Sequence, residues 1–592
     1  MSKARRVLAV VAFCLLVVGM LTGCRAAGER SKRPSKDWSR GIKVGQTTIN
    51  GRVGLATDAT GDNTYLVWIA DQEGTDVLRY ARIDRAGEVV AEGDLPTAAD
   101  LPQAVEITLD ASGGAHLAWT ARLDGEYRLF YAGIDANGGL SAQPTSVSPA
   151  GIPVAQFSLS TDSEGGSDLF WVATEGEDAG LYYARLDAAG QLTADNKPLR
   201  DNTTDVIVRQ DRAGVLRVTW MEQPSYGVYQ IFYATFDSGA RDLVGSTKVA
   251  DVLGGTGLVL RGPELGLAGE YAYVLWSVER RGGGLTSAAA QSYYVSFPLG
   301  QPELACAARQ ILIPALNNPA YASVASLGQT RRLAAVTDDV SAVGTFTYLP
   351  STPVAYMDEL VSSLAVELQG RTNDLVQIVV MLWSGGEIQG YQIAGKTNSS
   401  SLRSALAVDN QNNVHLVWID TAGFGTYDVY YASTATEARA NLNRIAFDDV
   451  AAFTLSLGWA LTSSISFFPL AFMWIAIPLA VVSIFLFISA EGGLERRSSR
   501  IMLCVVGLIY LLLKYLTEPQ WLSILQLPSM PTWLDGTLTV TAPLLVAGLA
   551  GLVTWVSLRK LEYKSLFRAF VIFAAWDALL TLVQYVPVLM LE

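Results

Sequence analysis

His116-Leu-Ala-Trp119, followed by Phe130-Tyr-Ala-Gly-Ile-Asp135, is one copy of a unit that recurs along most of the 592-residue chain. The unit reads Tyr65-Leu-Val-Trp68 with Arg79-Tyr-Ala-Arg-Ile-Asp84, then Asp168-Leu-Phe-Trp171 with Tyr182-Tyr-Ala-Arg-Leu-Asp187, then Arg217-Val-Thr-Trp220 with Phe232-Tyr-Ala-Thr-Phe-Asp237. Val274-Leu-Trp276 with Tyr293-Tyr294 and His415-Leu-Val-Trp418 with Tyr430-Tyr-Ala-Ser433 continue it, and Val380-Met-Leu-Trp383 before Tyr391 is a worn copy. From Trp68 the first five Trp of the unit are spaced by 51, 52, 49 and 56 residues, and the repeat Tyr after each of the first four, Tyr80, Tyr131, Tyr183 and Tyr233, follows at 12, 12, 12 and 13. Self-similarity at such a period marks a repeat architecture.

The turns between the runs carry their own chemistry. In Asp84-Arg-Ala-Gly87, Asp135-Ala-Asn-Gly138 and Asp187-Ala-Ala-Gly190 the Asp can accept from the turn backbone and the Gly supplies a positive φ. Asp110-Ala-Ser-Gly113 and Asp211-Arg-Ala-Gly214 do the same before the Trp run. Each unit then holds four short strands, for the second unit at 103–109, 115–121, 126–134 and 139–147. Four strands per repeat predict an all-β propeller over 45–447. Trp68, Trp119, Trp171, Trp220, Trp276, Trp383 and Trp418, with a Trp-less unit near Arg332-Leu-Ala-Ala-Val336, count to eight blades. The short interval from Trp383 to Trp418 leaves seven as the alternative. Ring closure is expected between 45–57 and 438–447.

The repeat resembles the Asp-x-x-Gly-x-x-hydrophobic-x-Trp units of sialidase-like and Asp-box propellers, although Asp110, Gly113 and Trp119 are three and nine apart where the family motif has two and five. That resemblance implies three arginines gripping a substrate carboxylate, an acidic acid/base and a Tyr nucleophile with a carboxylate partner. No three arginines match by sequence position, and Tyr131 and Tyr183 sit at repeat positions that read as strand packing. Three arginines with an acidic pair converging on the centre of the ring would favour such a hydrolase; a centre of Ala, Ser and Gly would oppose it.

Little else points to chemistry. The two histidines, His116 and His415, occupy the same repeat position, so a ring holds them apart and both read as structural. No cofactor is implied with any force. Calcium is the one candidate ion, at Asp201/Asp205, Asp338-Asp339 or Asp409-Asn410 with Asn412, where hard oxygen ligands cluster. Residues 24–449 carry 32 basic and 49 acidic groups, and such an acidic exterior repels phosphate backbones, which excludes nucleic acid. The cysteines at 14, 24, 306 and 504 are too scattered for a disulfide framework. Cys306 reads as a small buried hydrophobe.

Both flanks of the repeat region have a different solvent in view. Lys3, Arg5 and Arg6 precede an uncharged run from Val7 to Cys24, which reads as a secretory signal over 1–23. Leu21-Thr-Gly-Cys24 resembles the lipobox of bacterial lipoproteins, which implies cleavage before Cys24 and its diacylation with palmitate-type chains. A tether follows over 24–44. Residues 448–466 read as an interfacial or re-entrant segment, and 467–592 as a four-helix transmembrane domain with spans near 467–490, 500–516, 538–558 and 569–590. Arg496, Arg497, Arg500, Arg559, Lys560, Lys564 and Arg568 fall in the two loops that this topology makes cytoplasmic, with the propeller outside. Asp577 lies in the last span and Gln584 on the same face. Asp577 is expected to be neutral and hydrogen-bonded, no second charge being expected within the other spans.

Together these features predict a noncatalytic binding or scaffolding protein on the outer face of a bacterial cytoplasmic membrane, with a protein or glycan ligand on the propeller. A sialidase-like glycan hydrolase is one alternative. The other is a sensor or accessory subunit of a membrane complex, with Asp577 and Gln584 touching an integral partner.

Overall fold

The computed structural model describes Pro34 and residues 37–590, apart from 49–50, 98, 136–138, 175, 177, 256, 281–288, 312–349, 369–374, 424, 445–470, 490–491, 518–531 and 560–563. Gly28–Arg444 form one compact unit, and Ile445–Glu592 belong to a second.

The first unit is a β-propeller of seven four-stranded sheets. Blades 1 to 6 span residues 54–95, 105–146, 156–201, 203–253, 258–310 and 354–395, and blade 7 spans 401–433. Strands of the second blade run Val105–Leu109, Ala115–Leu123, Glu126–Ile134 and Leu140–Ser146, within two residues of the expected bounds. Asp turns fix the register as the sequence suggests: Asp110 Oδ1 accepts from Ser112 N at 2.8 Å and Gly114 N at 2.9 Å, and Gly113 has φ +83°. Asp187 and Asp211 repeat the arrangement.

Hydrophobic runs fill the wedges between neighbouring blades. Trp119 packs among Ala56, Tyr65 and Val67 of blade 1, and Trp220 among Phe170 and Val172 of blade 3. Each of these Trp is almost wholly buried and most stack on the aromatic opposite: Trp119 on Phe130 at 5.9 Å, Trp171 on Tyr182 at 4.3 Å, Trp418 on Tyr430 at 5.5 Å. A Trp buries about 150–250 Å², so a ring of them dominates cohesion between sheets.

The count of eight blades is corrected to seven. Residues 332–336, read as a Trp-less blade, lie outside the described residues, and blade 5 packs directly on blade 6. A Cβ on Gly266 of blade 5 would lie 2.6 Å from Pro353 and 2.7 Å from Leu360, which leaves no space for a sheet between them. Blade 6 is itself displaced by one strand. The three residues Val354–Tyr356 pair inside Glu359–Leu368, Trp383 sits on the third strand, and the sheet ends outward at Glu387–Gly395.

Closure also differs in detail. Ile42–Thr47 supplies the outer strand of blade 7 by pairing with Thr426–Ser433, not with 438–447. The segment expected to close the ring instead begins as a helix, Thr436–Leu442, whose Ala438 and Leu442 are buried. Leu442 rests on the turn at Gly87, where φ is +80° and a Cβ would meet its methyl at 2.7 Å.

Among its described residues the second unit holds four long helices, at Phe472–Ser489, Arg497–Thr517, Thr532–Arg559 and Leu566–Met590. Among the described residues one of them, Phe472–Ser489, is long and apolar enough to cross a membrane, and Leu544–Arg559 is a shorter apolar stretch. The expectation of four such spans is corrected to this extent; the second helix carries Arg497, Arg500 and Lys514. The two basic loops lie side by side, Leu494 N donating to Lys564 O at 2.9 Å and Leu566 N to Gly492 O at 2.7 Å.

Candidate functional site

The inner strands of the blades surround the propeller axis, and here they enclose a cavity of about 370 Å³. Blades 1, 2, 3, 4 and 7 contribute Gly54-Leu55, Val105–Leu109, Leu159–Thr161, Val208–Gln210 and Ser404–Leu406, and Arg52 and Thr352 complete the wall. Its centre is charged, not lined with Ala, Ser and Gly alone. Arg52, ahead of blade 1, ion-pairs with Glu264 of blade 5 and donates to Pro350 O at 3.0 Å. Glu264 also accepts from Thr352 Oγ1 at 2.5 Å. Glu106 of blade 2 accepts from Leu159 N at 2.8 Å, and Arg209 of blade 4 donates to Val208 O at 2.6 Å. Arg261 of blade 5 reaches Glu279 at 3.5 Å, the limit of a hydrogen bond, and acts on Asp205 of blade 4.

Three arginines thus stand among three carboxyl groups, contributed by blades 2, 4 and 5 and by the segment ahead of blade 1. Burial pushes the Glu106 carboxyl up, against the pull of Arg209. Burial and the like charge of Glu264 push Asp205 well above the usual carboxylate range. Arg52 and Arg261 already have carboxylate partners, Glu264 and Glu279, whereas Arg209 has no ion-pair partner among the described residues and is acted on by Glu106 and Glu264 across the cavity. Hydroxyls border the charges: Thr108 and Thr161 pair at 2.5 Å across blades 2 and 3.

A larger groove of about 700 Å³ on the rim, near Lys43, Arg79 and Glu88, offers less chemistry. Lys43 is paired with Asp428 at 2.9 Å and Arg79 with Asp94 at 2.8 Å.

The residues singled out in the sequence mostly lie elsewhere. Trp68, Trp119, Trp171, Trp220, Trp276, Trp383 and Trp418 are buried between blades and never meet. His116 Nε2 lies 3.1 Å from Asp110, and its Nδ1 lies 2.5 Å from Tyr131 OH and 3.2 Å from Ser167 Oγ. His415 repeats the set, with Nδ1 2.7 Å from Tyr431 OH and 3.2 Å from Thr64 Oγ1. Despite its Ser-His-Asp composition, the cluster is duplicated at a blade boundary with the hydroxyls buried, so it ties a turn to the next blade. Tyr183 donates to Asp168 at 2.6 Å in the corresponding place.

Asp409 spends its oxygens on Gln411 N, Asn413 N and Asn413 Nδ2, and Asp205 Oδ1 accepts from Val206 N. Among the described residues no group of three or more His, Cys, Asp and Glu could hold a metal ion. Asp338-Asp339 and Cys24 lie outside the described residues. Cys306 is half-buried, its sulfur 3.3 Å from Ser296 N.

Asp577 has the partner that the sequence reading missed. Its Oδ2 accepts from Lys514 Nζ at 2.7 Å and from Tyr510 OH at 2.8 Å, and Lys514 also reaches Thr581 Oγ1 at 2.6 Å. A buried ion pair therefore replaces the expected neutral carboxyl without a second charge. Lys514 lies three residues before the end of its helix, where it read as a flanking charge. Gln584 falls further along the helix of Asp577.

No protein family and no curated protein matches the sequence. Among solved structures the propeller is similar to the polysaccharide lyase Uly1, at 9% identity and a TM-score of 0.40 over 68% of this chain and 99% of that one. A PL25 ulvan lyase gives 8% and 0.39 over 65% and 95%, and the α-L-arabinofuranosidase Arb93A of Fusarium graminearum gives 9% and 0.34 over 66% and 97%. At these values the likeness carries no inference about ligand or chemistry.

Proposed function

We propose that this is a membrane-tethered extracytoplasmic propeller that binds an acidic saccharide in its central channel. The carrying observation is Arg209, which lines the cavity and, among the described residues, makes one hydrogen bond, to its neighbour's carbonyl. A guanidinium presents five donors in a planar fork that fits a carboxylate, so most of its capacity is open to a ligand. The cavity volume is in the range of small-ligand sites, and the Thr108 and Thr161 hydroxyls suit sugar oxygens.

Cleavage of the bound glycan is the second reading, favoured over a purely noncatalytic role by Asp205. Burial and the charge of Glu264 push the Asp205 carboxyl upward, the direction that a general acid for glycosidic cleavage requires. Titration of the purified protein with uronate and sialate oligosaccharides, alongside neutral analogues, tests binding. Acidic sugars should bind and Arg209→Met should abolish it; equal affinity for neutral sugars would refute the reading. New reducing ends, lost in Asp205→Asn, would establish cleavage.

Membrane placement has separate support. In the helical unit Phe472, Phe487, Leu508, Leu545 and Trp555 are exposed while Lys514, Asp577 and Thr581 are buried, a polarity suited to lipid outside and polar groups within. Lipidation of Cys24 and cytoplasmic basic loops complete the proposal, with the Lys514–Asp577 helices available to an integral partner.

A further inference from the structure

The channel arginines are not equivalent. Arg52 is committed to Glu264 and to Pro350 O, and Arg261 leans on Glu279. Arg209 is left as the guanidinium an entering anion can take, and Glu106, which lines the same cavity from blade 2, is the foremost carboxyl acting on it. Glu106 is faced by Arg209 from blade 4, Arg52 from ahead of blade 1, Glu264 from blade 5 and the Leu159 N–H from blade 3. Asp205, on the same strand as Arg209, is faced by Glu264, Arg52 and Arg261.

An anion that engages Arg209 takes from Glu106 its principal counter-charge and sets a like charge nearby. Two carboxylates near one guanidinium in a closed channel repel strongly, and the cheapest relief is to protonate one. We propose that Glu106 is the internal stand-in for the ligand's carboxylate: a sugar acid takes over Arg209, and Glu106 accepts one proton from solvent as it does so. The channel's net charge is then the same before and after binding, and the new carboxylic O–H can donate to the sugar. Glu106 in this role selects for a monoanion over a neutral sugar. The free protein is already biased this way, since burial raises the Glu106 carboxyl and Arg209 is what opposes it.

This rests on the reading that an acidic saccharide enters the channel, and the experiment separates the two. The full-length protein in detergent is titrated calorimetrically with sodium D-glucuronate, and with neutral D-glucuronamide, between pH 5.5 and 8.5 in phosphate and in Tris. About one proton should be taken up per glucuronate, read from the difference between buffers, and affinity should fall roughly tenfold per pH unit at the alkaline end. Glu106→Gln, which keeps the shape and already carries no charge, should bind glucuronate with no proton uptake, a flat pH profile and at least about tenfold tighter at pH 8. Glucuronate binding without proton uptake in the wild type, or a Glu106→Gln variant that keeps the pH dependence, would overturn the role of Glu106 while leaving the channel reading intact. Failure of glucuronate to bind at any pH, or equal binding of glucuronamide, would overturn both.

Discussion

Trp119→Ala probes what holds one blade to the next. The indole is buried, stacks on Phe130 at 5.9 Å, fills the wedge lined by Tyr65 and Val67 of blade 1, and donates Nε1 to Thr97 O at 3.2 Å. Removal of a buried Trp costs about 3–5 kcal/mol. Area gives the same scale, since roughly 200 Å² at about 25 cal/mol per Å² is about 5 kcal/mol. The Thr97 carbonyl is partly exposed and finds water, so the hydrogen bond adds little. Trp119→Phe keeps the stack and much of the volume and should cost about 1–2 kcal/mol. Guanidinium unfolding followed by far-ultraviolet circular dichroism gives both numbers, and hydrogen exchange should show the loss at Val105–Leu109 and Thr64–Gln72. A Trp119→Ala cost below about 1 kcal/mol would refute the view that these indoles carry the cohesion between blades.

Further outcomes follow from the polar groups. His116→Ala strands Asp110 and Tyr131 in a buried blade boundary, so it should destabilise by about 1–3 kcal/mol without altering glucuronate affinity, checked by the same unfolding and by calorimetry. Although burial alone would raise them, hydrogen bonds hold the carboxyls of Asp110, Asp162 and Asp409 below their ordinary value; their stabilisation is present above about pH 4 and lost as pH falls through the folded-state values, so Asp162→Asn should flatten the acid limb of a stability profile. Burial raises Asp420 to about 6, so its ionisation costs up to about 3 kcal/mol as pH rises from about 4 to above 6, a decline that Asp420→Asn should remove. In detergent, Lys514→Met or Asp577→Leu alone should each lower stability by about 3–5 kcal/mol because a buried charge loses its partner, and the double variant should recover much of it, read as apparent melting temperature. Single cysteines at Ser498 and Ser565, with Cys306 and Cys504 removed, should resist an impermeant thiol reagent in intact spheroplasts; labelling of Ser498→Cys there would reverse the first basic loop.

The propeller was legible because its demands repeat. Every blade has a Trp in the wedge and blades 1 to 4 an Asp-Gly turn, so Trp119 and Asp110 each have counterparts, and the shared position of His116 and His415 marked them as structural. The channel was illegible for the opposite reason. Glu106 and Glu264 share a repeat position, each opposite the residue before its Trp, but Arg52, Asp205 and Arg209 come from other places, and the five meet only because the ring brings distant inner strands together. Blade number failed where the period weakens, at the displaced sheet around Trp383. In the helices, one turn's offset along an axis separates a flanking charge from a buried one, and hydropathy alone does not resolve that distance for Lys514.

The outer strand of blade 7 comes from the other end of the propeller: Gln46 bonds to Asp428 across 382 residues. Synthesis at about 5–20 residues per second separates these partners by roughly 20 to 80 s. For that interval Ile42–Thr47 has no partner, while blades 1 to 6 can already pair within themselves. The ring is therefore timed by its last blade, and a chain that stalls before Ser433 would present an orphan strand and an open wedge at blade 1, the surfaces a chaperone outside the ribosome would have to cover.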